Sequence, residues 1–363
     1  MQLLLLFFIL AGIANFSGGM LSVVSWFFVR RKYRKTRKGK GKASIIIPLK
    51  GKDIENIEYF LNQDYEEYEI IIVVDSKEEA DEIKKKYDGT RVEISRKMPD
   101  CSGKISALLT GIEKCHGDIY VFADADIKPH KKWLSYLVGG IEEKAIATSY
   151  RWYFGNKILS VWNAGVASIL FYPSFNFAWG GSTAIKKKDF ERLEIKNIWE
   201  RAIVDDLTLT MQAKRNGFKI NFVPQAICEA EEEKEVIKWM NKEMAWVRYY
   251  FPSLWKIALF LNIGMRAGVV AGIVLMFFYP VIGFMLFSPL IFDFFRGWQE
   301  YATFVKLMEY EKERFFPWYV HSLLRPIISF ILSYNLISSI FIKEIEWGGK
   351  KYKIAWHKYH ESA

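Results

Sequence analysis

The chain has 363 residues, is 51% hydrophobic and carries a formal net charge of +10. That length buries one or two sizeable domains, which excludes a small disulfide-stapled scaffold. Nine of the cations (Arg30, Arg31, Lys32, Arg34, Lys35, Arg37, Lys38, Lys40 and Lys42) form one run that accounts for nearly all of the net charge, so the basic balance suits anionic lipid headgroups and argues against a nucleic-acid partner.

Residues 3–29 hold no charged side chain and exceed the ~20 residues a membrane helix needs. This stretch is longer than the ~7–15 apolar residues of a signal-peptide core, lacks a basic front and is followed by no A-x-A site, so residues 1–30 read as an uncleaved transmembrane anchor. The basic run after it keeps to the cytoplasm, which puts the amino terminus outside and residues 43–230 inside. The cysteines, Cys101, Cys115 and Cys228, lack metal spacing and fit reduced, structural thiols in that compartment.

From residue 43 the pattern alternates. Apolar, β-branched runs at 44–48, 69–74, 91–94 and 118–123 predict strands, and helical patterns lie between them at 54–63, 77–87 and 104–115, the last with Ser102 as N-cap. Such alternation predicts a parallel sheet covered by helices. Pro48-Leu49-Lys50-Gly51-Lys52-Asp53 follows the first strand, where a dinucleotide fold would carry G-x-G-x-x-G, and no P-loop follows any strand.

Asp124-Ala125-Asp126 closes the fourth strand. Buried parallel strands deliver their loops to the carboxyl edge of a sheet, where ligands bind, and two carboxylates there suit Mg²⁺ or Mn²⁺ held against a diphosphate. A solvated turn is the plainer alternative. Asp75 ends the second strand on the same edge, either accepting hydrogen bonds from a nucleoside or capping the next helix. Lys104 opens a helix after Ser102-Gly103, a place that favours phosphate. Gly180-Gly181-Ser182-Thr183 follows an aromatic stretch and either lets a sugar approach the backbone or makes an ordinary turn. Asp205-Asp206 starts another helix, where carboxylates favour the helix dipole or one of them serves as a general base. Trp239, Glu243, Trp246 and Tyr250 share a helix face ahead of the next greasy block, so residues 231–253 are expected to form an amphipathic interfacial helix that closes the site over a lipid.

Together, Ile47-Pro48-Leu49-Lys50-Gly51, Asn62-Gln63-Asp64-Tyr65, Glu69 to Asp75, Asp124-Ala125-Asp126 and Val204-Asp205-Asp206 resemble the family 2-type glycosyltransferases, and most closely their ceramide glucosyltransferase-like membrane branch. The tail Trp347-Gly348-Gly349-Lys350-Lys351-Tyr352 is similar to the ending of such proteins. The resemblance implies an α/β GT-A fold, a mixed Rossmann-like sheet with helices on both faces. It also implies a UDP-sugar donor at Pro48, Asp75, Lys104, Asp124 and Gly181, a divalent metal at Asp124 and Asp126, Asp206 as base and Asp205 in support. The family's Q/R-x-x-R-W motif falls on Lys242-Glu243-Met244-Ala245-Trp246, with Ala245 in place of the arginine. Lys242, Trp246 and Arg248 are then expected at the acceptor or diphosphate.

Apolar blocks at 254–295 and 318–342 predict a transmembrane region of two or more segments over 254–342. The first block reads either as one long crossing or as two passes broken near Pro280. The basic tail, 343–363, argues for a cytoplasmic end and an even number of crossings after the catalytic domain. The expected protein is a multi-pass enzyme of the cell membrane that moves a sugar, glucose first among candidates, from a UDP-sugar to a lipid hydroxyl. Rival readings are a polyprenyl-phosphate sugar synthase, a polysaccharide synthase and an inactive membrane scaffold.

Overall fold

The computed structural model describes residues 2–31, 37–51, 53–347 and 350–353. Lys32, Arg34 and Lys35 of the basic run, Gly348 and Gly349 of the tail motif, and the last ten residues lie outside the described residues. The chain divides into two compact units: residues 34–153 with 167–231, and residues 1–33 with 154–166 and 232–363.

In chain order, α1 (Gln2–Arg31) leads into an alternating region: β1 (Ala43–Pro48), α2 (Ile57–Leu61), β2 (Tyr68–Val74), α3 (Lys77–Lys86), β3 (Arg91–Ile94), α4 (Gly103–Ile112) and β4 (Ile119–Ala123). Next come β5 (Ile127–Lys128), α5 (Trp133–Gly139), β6 (Ala145–Thr148), β7 (Arg151–Trp152), α6 (Lys157–Ile169), β8 (Ser182–Lys186), α7 (Lys187–Arg192) and α8 (Ile195–Trp199). The catalytic-size unit ends with α9 (Asp205–Arg215), β9 (Lys219–Phe222) and β10 (Cys228–Ala230). The remainder is α10 (Val236–Tyr250), α11 (Pro252–Leu275), α12 (Pro280–Phe287), α13 (Pro289–Leu307), α14 (Trp318–Ser338) and a hairpin of β11 (Glu344–Trp347) and β12 (Lys350–Lys353).

Among the described residues the main sheet has seven strands in the order β3-β2-β1-β4-β8-β6-β9. Its centre is dry: Ile45, Ile46, Ile47, Ile71, Ile72 and Val121 are fully buried, as β-branched residues flanked by helices should be. Local chemistry sets the helix starts. Ser76 and Glu79 form a reciprocal capping box on α3, and the Ser102 hydroxyl accepts the Ile105 N–H at the start of α4.

The sheet is mixed, which departs from the all-parallel expectation that alternation alone suggests. β8 runs antiparallel to both β4 and β6. The chain between β4 and β8 builds β6 and α6 first and returns from the opposite end, so β8 enters beside β4 pointing the other way. A second sheet has three strands in the order β5-β10-β7.

In the other unit, four helices among the described residues are long and apolar enough to cross a membrane: Gln2–Arg31, Pro252–Leu275, Pro280–Leu307 and Trp318–Phe341. Proline opens α11, α12 and α13, where its missing N–H costs nothing. The helix breaks between Leu275 and Pro280, near the proline at which the sequence reading divides the block 254–295. Three such helices follow the catalytic unit, an odd number, against the even number expected from the basic tail.

Candidate active site

β1 pairs in parallel with both β2 and β4, with Ile47 opposite Ile72 and Ile46 opposite Phe122. That register brings the ends of all three strands to one edge. Lys50 and Asp75 meet there, Nζ to Oδ2 at 3.2 Å, both well exposed. Ser76 caps α3, so the cap is not the work of Asp75.

The antiparallel pairing of β8 with β4 sets Ser182 opposite Ala123, which carries Gly180-Gly181 to the end of β4. The Asp124 N–H donates to Gly181 O at 3.3 Å. A Cβ on Gly181 would lie 2.7 Å from Asp124 Oδ2 and collide with the Trp179 ring, and one on Gly180 would strike Asp205 Oδ2 and sit 2.9 Å from Lys104 Nζ. Glycine is required at both positions because carboxylates fill the space a side chain would take.

Lys104, in the first turn of α4, reaches into this cradle. Its ammonium lies 2.8 Å from Asp124 Oδ1 and 3.1 Å from Asp205 Oδ2. Burial pulls Lys104 toward deprotonation, but Asp124, Asp205 and Asp206 outweigh it and hold its pKa above that of a free lysine. Asp205 is itself buried, which pushes its carboxyl pKa up against the pull of Lys104, with Asp124 adding to the push. Asp206 sits half-buried beside it: its carboxylate accepts the Leu207 N–H at 2.6 Å and the Gly180 N–H at 3.3 Å.

The D-x-D turn is held from below. Asn56, buried at the start of α2, donates to Ala125 O and to Glu231 Oε1, both at 3.0 Å, while the Glu231 N–H donates to Asp126 O at 2.9 Å. Arg151 of β7 is buried with its guanidinium over Tyr150 and Trp179. The Cys228 thiol is pushed well up by burial and then by the charges of Asp126 and Asp124, with Arg151 opposing them. Reasoning from sequence passed over Asn56, Arg151 and Glu231. Asn56 sits in no motif, and only the pairing of β10 with β5 and β7 brings Glu231 and Arg151 to the turn.

Lys104, Asp124, Asp205, Asp206 and Gly181 thus come together, and Pro48 ends β1 on the same edge as Asp75. Asp124, Asp205 and Asp206 share one ammonium, that of Lys104, so an anionic diphosphate needs a further cation to enter. Among the described residues no group of three His, Cys, Asp or Glu side chains is arranged to hold a metal alone. The fit is of another kind: carboxylate oxygens beside a glycine cradle are hard donors of the class Mg²⁺ prefers.

Lys242, Trp246 and Arg248 lie on α10, in the other compact unit. The α10 aromatic stripe turns inward where a lipid-facing helix was expected. Trp239 is buried edge-on against Trp162 at 5.3 Å, and Trp246 is buried as well, since rings gain more from packing than from an exposed face. Ala245 is fully buried. The Arg248 guanidinium donates to Ser339 O and Ile340 O at 2.5 and 2.7 Å, so its charge is spent on a helix end. Lys242 is half-buried.

The model for glycosyl transferase family 21 matches residues 8–360, nearly the whole chain. The chain belongs to glycosyl transferase family 21. It is 27% identical over 242 residues to the probable glycosyltransferase YdaM of Bacillus subtilis (strain 168), covering 60% of this chain and 57% of that relative's length. Among solved structures, a mannosyltransferase, PcManGT from Pyrobaculum calidifontis, in complex with GDP-Man and Mn²⁺, aligns at a TM-score of 0.48 and 14% identity over 92% of this chain and 97% of its own. GalNAc-T7 with UDP, GalNAc and Mn²⁺ aligns at 0.39 and 14% identity over 58% and 50%. This family 21 chain is a glycosyltransferase with a mixed α/β sheet and, among the described residues, apolar helices at both ends.

Proposed function

We propose that the protein transfers a sugar from a UDP-sugar to a membrane-lipid hydroxyl, with inversion, at the cytoplasmic face of the cell membrane. The observation that carries this reading is the juxtaposition of Asp206 with the Lys104–Asp124–Asp205 cluster at the carboxyl edge of the sheet. Asp124 and Asp126 would hold Mg²⁺ or Mn²⁺, which would supply positive charge against the diphosphate. Asp75, at the end of β2, takes the nucleoside; Pro48 and Gly181 shape its pocket, and Lys104 faces the phosphates.

Asp206 removes the proton of the acceptor hydroxyl as that oxygen bonds to the anomeric carbon. The bond from carbon to UDP breaks on the opposite side, so an α-linked donor yields a β-glycoside. A single displacement needs one base and no covalent intermediate. The Leu207 and Gly180 N–H groups fix the orientation of the Asp206 carboxylate, while Asp205 keeps Lys104 in place. Leading and trailing apolar helices supply the lipid location, with the amino terminus outside.

The test is a donor screen. Purified protein, a membrane lipid extract and each UDP-sugar in turn, UDP-glucose first, should give a glycolipid with a free-hydroxyl acceptor identified by mass. A product on a polyprenyl phosphate, a long polymer, or no UDP release with any donor would each replace this reading.

A further inference from the structure

Three helices of the membrane unit, α11, α12 and α13, can be set on a common depth scale by their contacts with α1. Asn15 Nδ2 donates to Met265 O of α11 at 3.3 Å and to Leu286 O of α12 at 3.0 Å. Further along α1, Gly19 packs on Phe292, Ser22 O accepts from Arg296 Nη1 at 2.9 Å, and the Arg296 guanidinium lies over Trp26 at 4.2 Å. Residues 286 to 296 therefore run alongside α1 in its own direction, and Gly18 against Met265 with Gly268 against Asn15 gives α11 the opposite direction.

Trp255 precedes Met265 by ten residues, about 15 Å of helix, and that descent brings it to the depth of Trp26. Glu300 lies one turn past Arg296 and reaches the same depth. α14 touches both landmarks. Arg325 Nε donates to Glu300 Oε2 at 2.9 Å and His321 Nε2 stands 3.9 Å from the same oxygen, while Trp255 Nε1 donates to Ser339 Oγ at 3.0 Å. Residues 325 and 339 are about 21 Å apart along a helix, yet both meet partners at one depth. A crossing helix would spread that distance across the bilayer.

We propose that α14 does not cross the membrane but lies along the face at which α1 ends, with lipid of that leaflet covering its apolar stripe. The stripe is continuous: Tyr319, Leu323, Ile327, Phe330, Tyr334 and Ile337 are all exposed at one-turn spacing. His321, Ser322, Ser329, Ser333 and Ser339 fill the buried face. An apolar face with tyrosines, opposite a polar face satisfied by protein, is the pattern of a helix in the interface plane. Its carboxyl half runs beside α10, where Asn335 Nδ2 donates to Asn241 Oδ1 at 2.7 Å and Tyr249 Oη to Ile342 O at 2.9 Å. On α11, Ile257 and Phe260 are likewise exposed near its start.

Two crossings then follow the catalytic unit, α11 and α12–α13, and Lys343, Lys350, Lys351 and Lys353 return to the face that holds Arg30 and Arg31. The odd count of long apolar helices and the basic tail are reconciled. The inference rests on the membrane insertion proposed above.

The test uses full-length protein in sealed vesicles, with Cys101, Cys115 and Cys228 replaced by alanine and an impermeant maleimide added to either side. Lys312→Cys and Lys343→Cys, at the two ends of α14, should label from the same side as Lys86→Cys in the catalytic unit, and Phe278→Cys between α11 and α12 only from the other. Labelling of the two ends from opposite sides would make α14 a crossing helix. Labelling of Phe278→Cys from the side of Lys86→Cys would instead remove the crossing of α11 and the membrane reading beneath it. As a second measurement, a fluorophore on Leu323→Cys or Ile337→Cys in nanodiscs should be quenched equally by lipids brominated near the headgroup. Unequal quenching overturns the in-plane placement, and none at either position overturns lipid as the occupant.

Discussion

Lys104 Nζ lies 3.1 Å from Asp205 Oδ2, an ammonium and a carboxylate that are both largely withdrawn from water. The pair joins the first turn of α4 to the first turn of α9. Removing one partner leaves a buried charge without compensation, a larger cost than exposed pairs incur.

Lys104→Met should therefore lower stability by about 3 kcal/mol in metal-free protein, the usual cost of breaking a buried pair. Thermal melts with and without UDP and Mn²⁺ measure it. A melting temperature equal to wild type would mean that Asp205 finds another cation or takes up a proton at little cost.

Asp206→Asn should keep UDP-sugar binding and lower turnover by roughly 10²–10⁴-fold, the range for loss of a general base. Asp205→Asn should cost less in turnover and more in stability, because Asp205 is buried on Lys104 while Asp206 is only half-buried. Steady-state rates and calorimetric binding separate the two variants, and the opposite order would move the base to Asp205.

Chelation should abolish transfer, and Mg²⁺ or Mn²⁺ should restore it. Asp126→Ala should abolish metal-dependent UDP binding while the fold survives, since Asn56 and Glu231 secure the turn through backbone atoms of Ala125 and Asp126. Full activity in excess chelator would reject Asp124 and Asp126 as metal ligands.

Glu69, at the opposite edge of the sheet, sets a pH dependence of stability. Burial raises its pKa, but the Ser44 hydroxyl at 2.6 Å, the His116 N–H and the His116 ring more than offset this and leave it below the ordinary carboxylate value. A carboxyl with a lowered folded pKa stabilises above its unfolded pKa and loses that contribution as pH falls through the folded one. Melting temperatures of wild type and Glu69→Gln should differ at neutral pH and converge on acidification. A constant gap across that range would remove Glu69 from the account.

Much of the site was legible in the order of residues. The Glu69 to Asp75 and Asp118 to Ala123 runs are buried β-branched or aromatic segments ending in Asp, and any parallel pairing puts those ends on one edge. Ser102 announced its helix start, because capping needs only a hydroxyl and the next three residues, whereas the cap of α3 fell to Ser76 and not to the candidate Asp75. The long uncharged stretch of α1 was equally plain.

What only the tertiary structure decided depends on contacts between residues distant in sequence. The antiparallel entry of β8 carries Gly180-Gly181 to Asp124, and no local pattern sets the direction of a strand that returns after a long excursion. The bond from Asn56 to Ala125 spans 69 positions. The α10 stripe had the period of a helix face, but periodicity identifies a buried side without naming what buries it, and here Trp162 does. Hydropathy likewise rated α14 long and apolar enough to cross a membrane. Hydropathy sums along a segment, whereas depth depends on which neighbours hold its two ends, and those are Glu300 and Trp255.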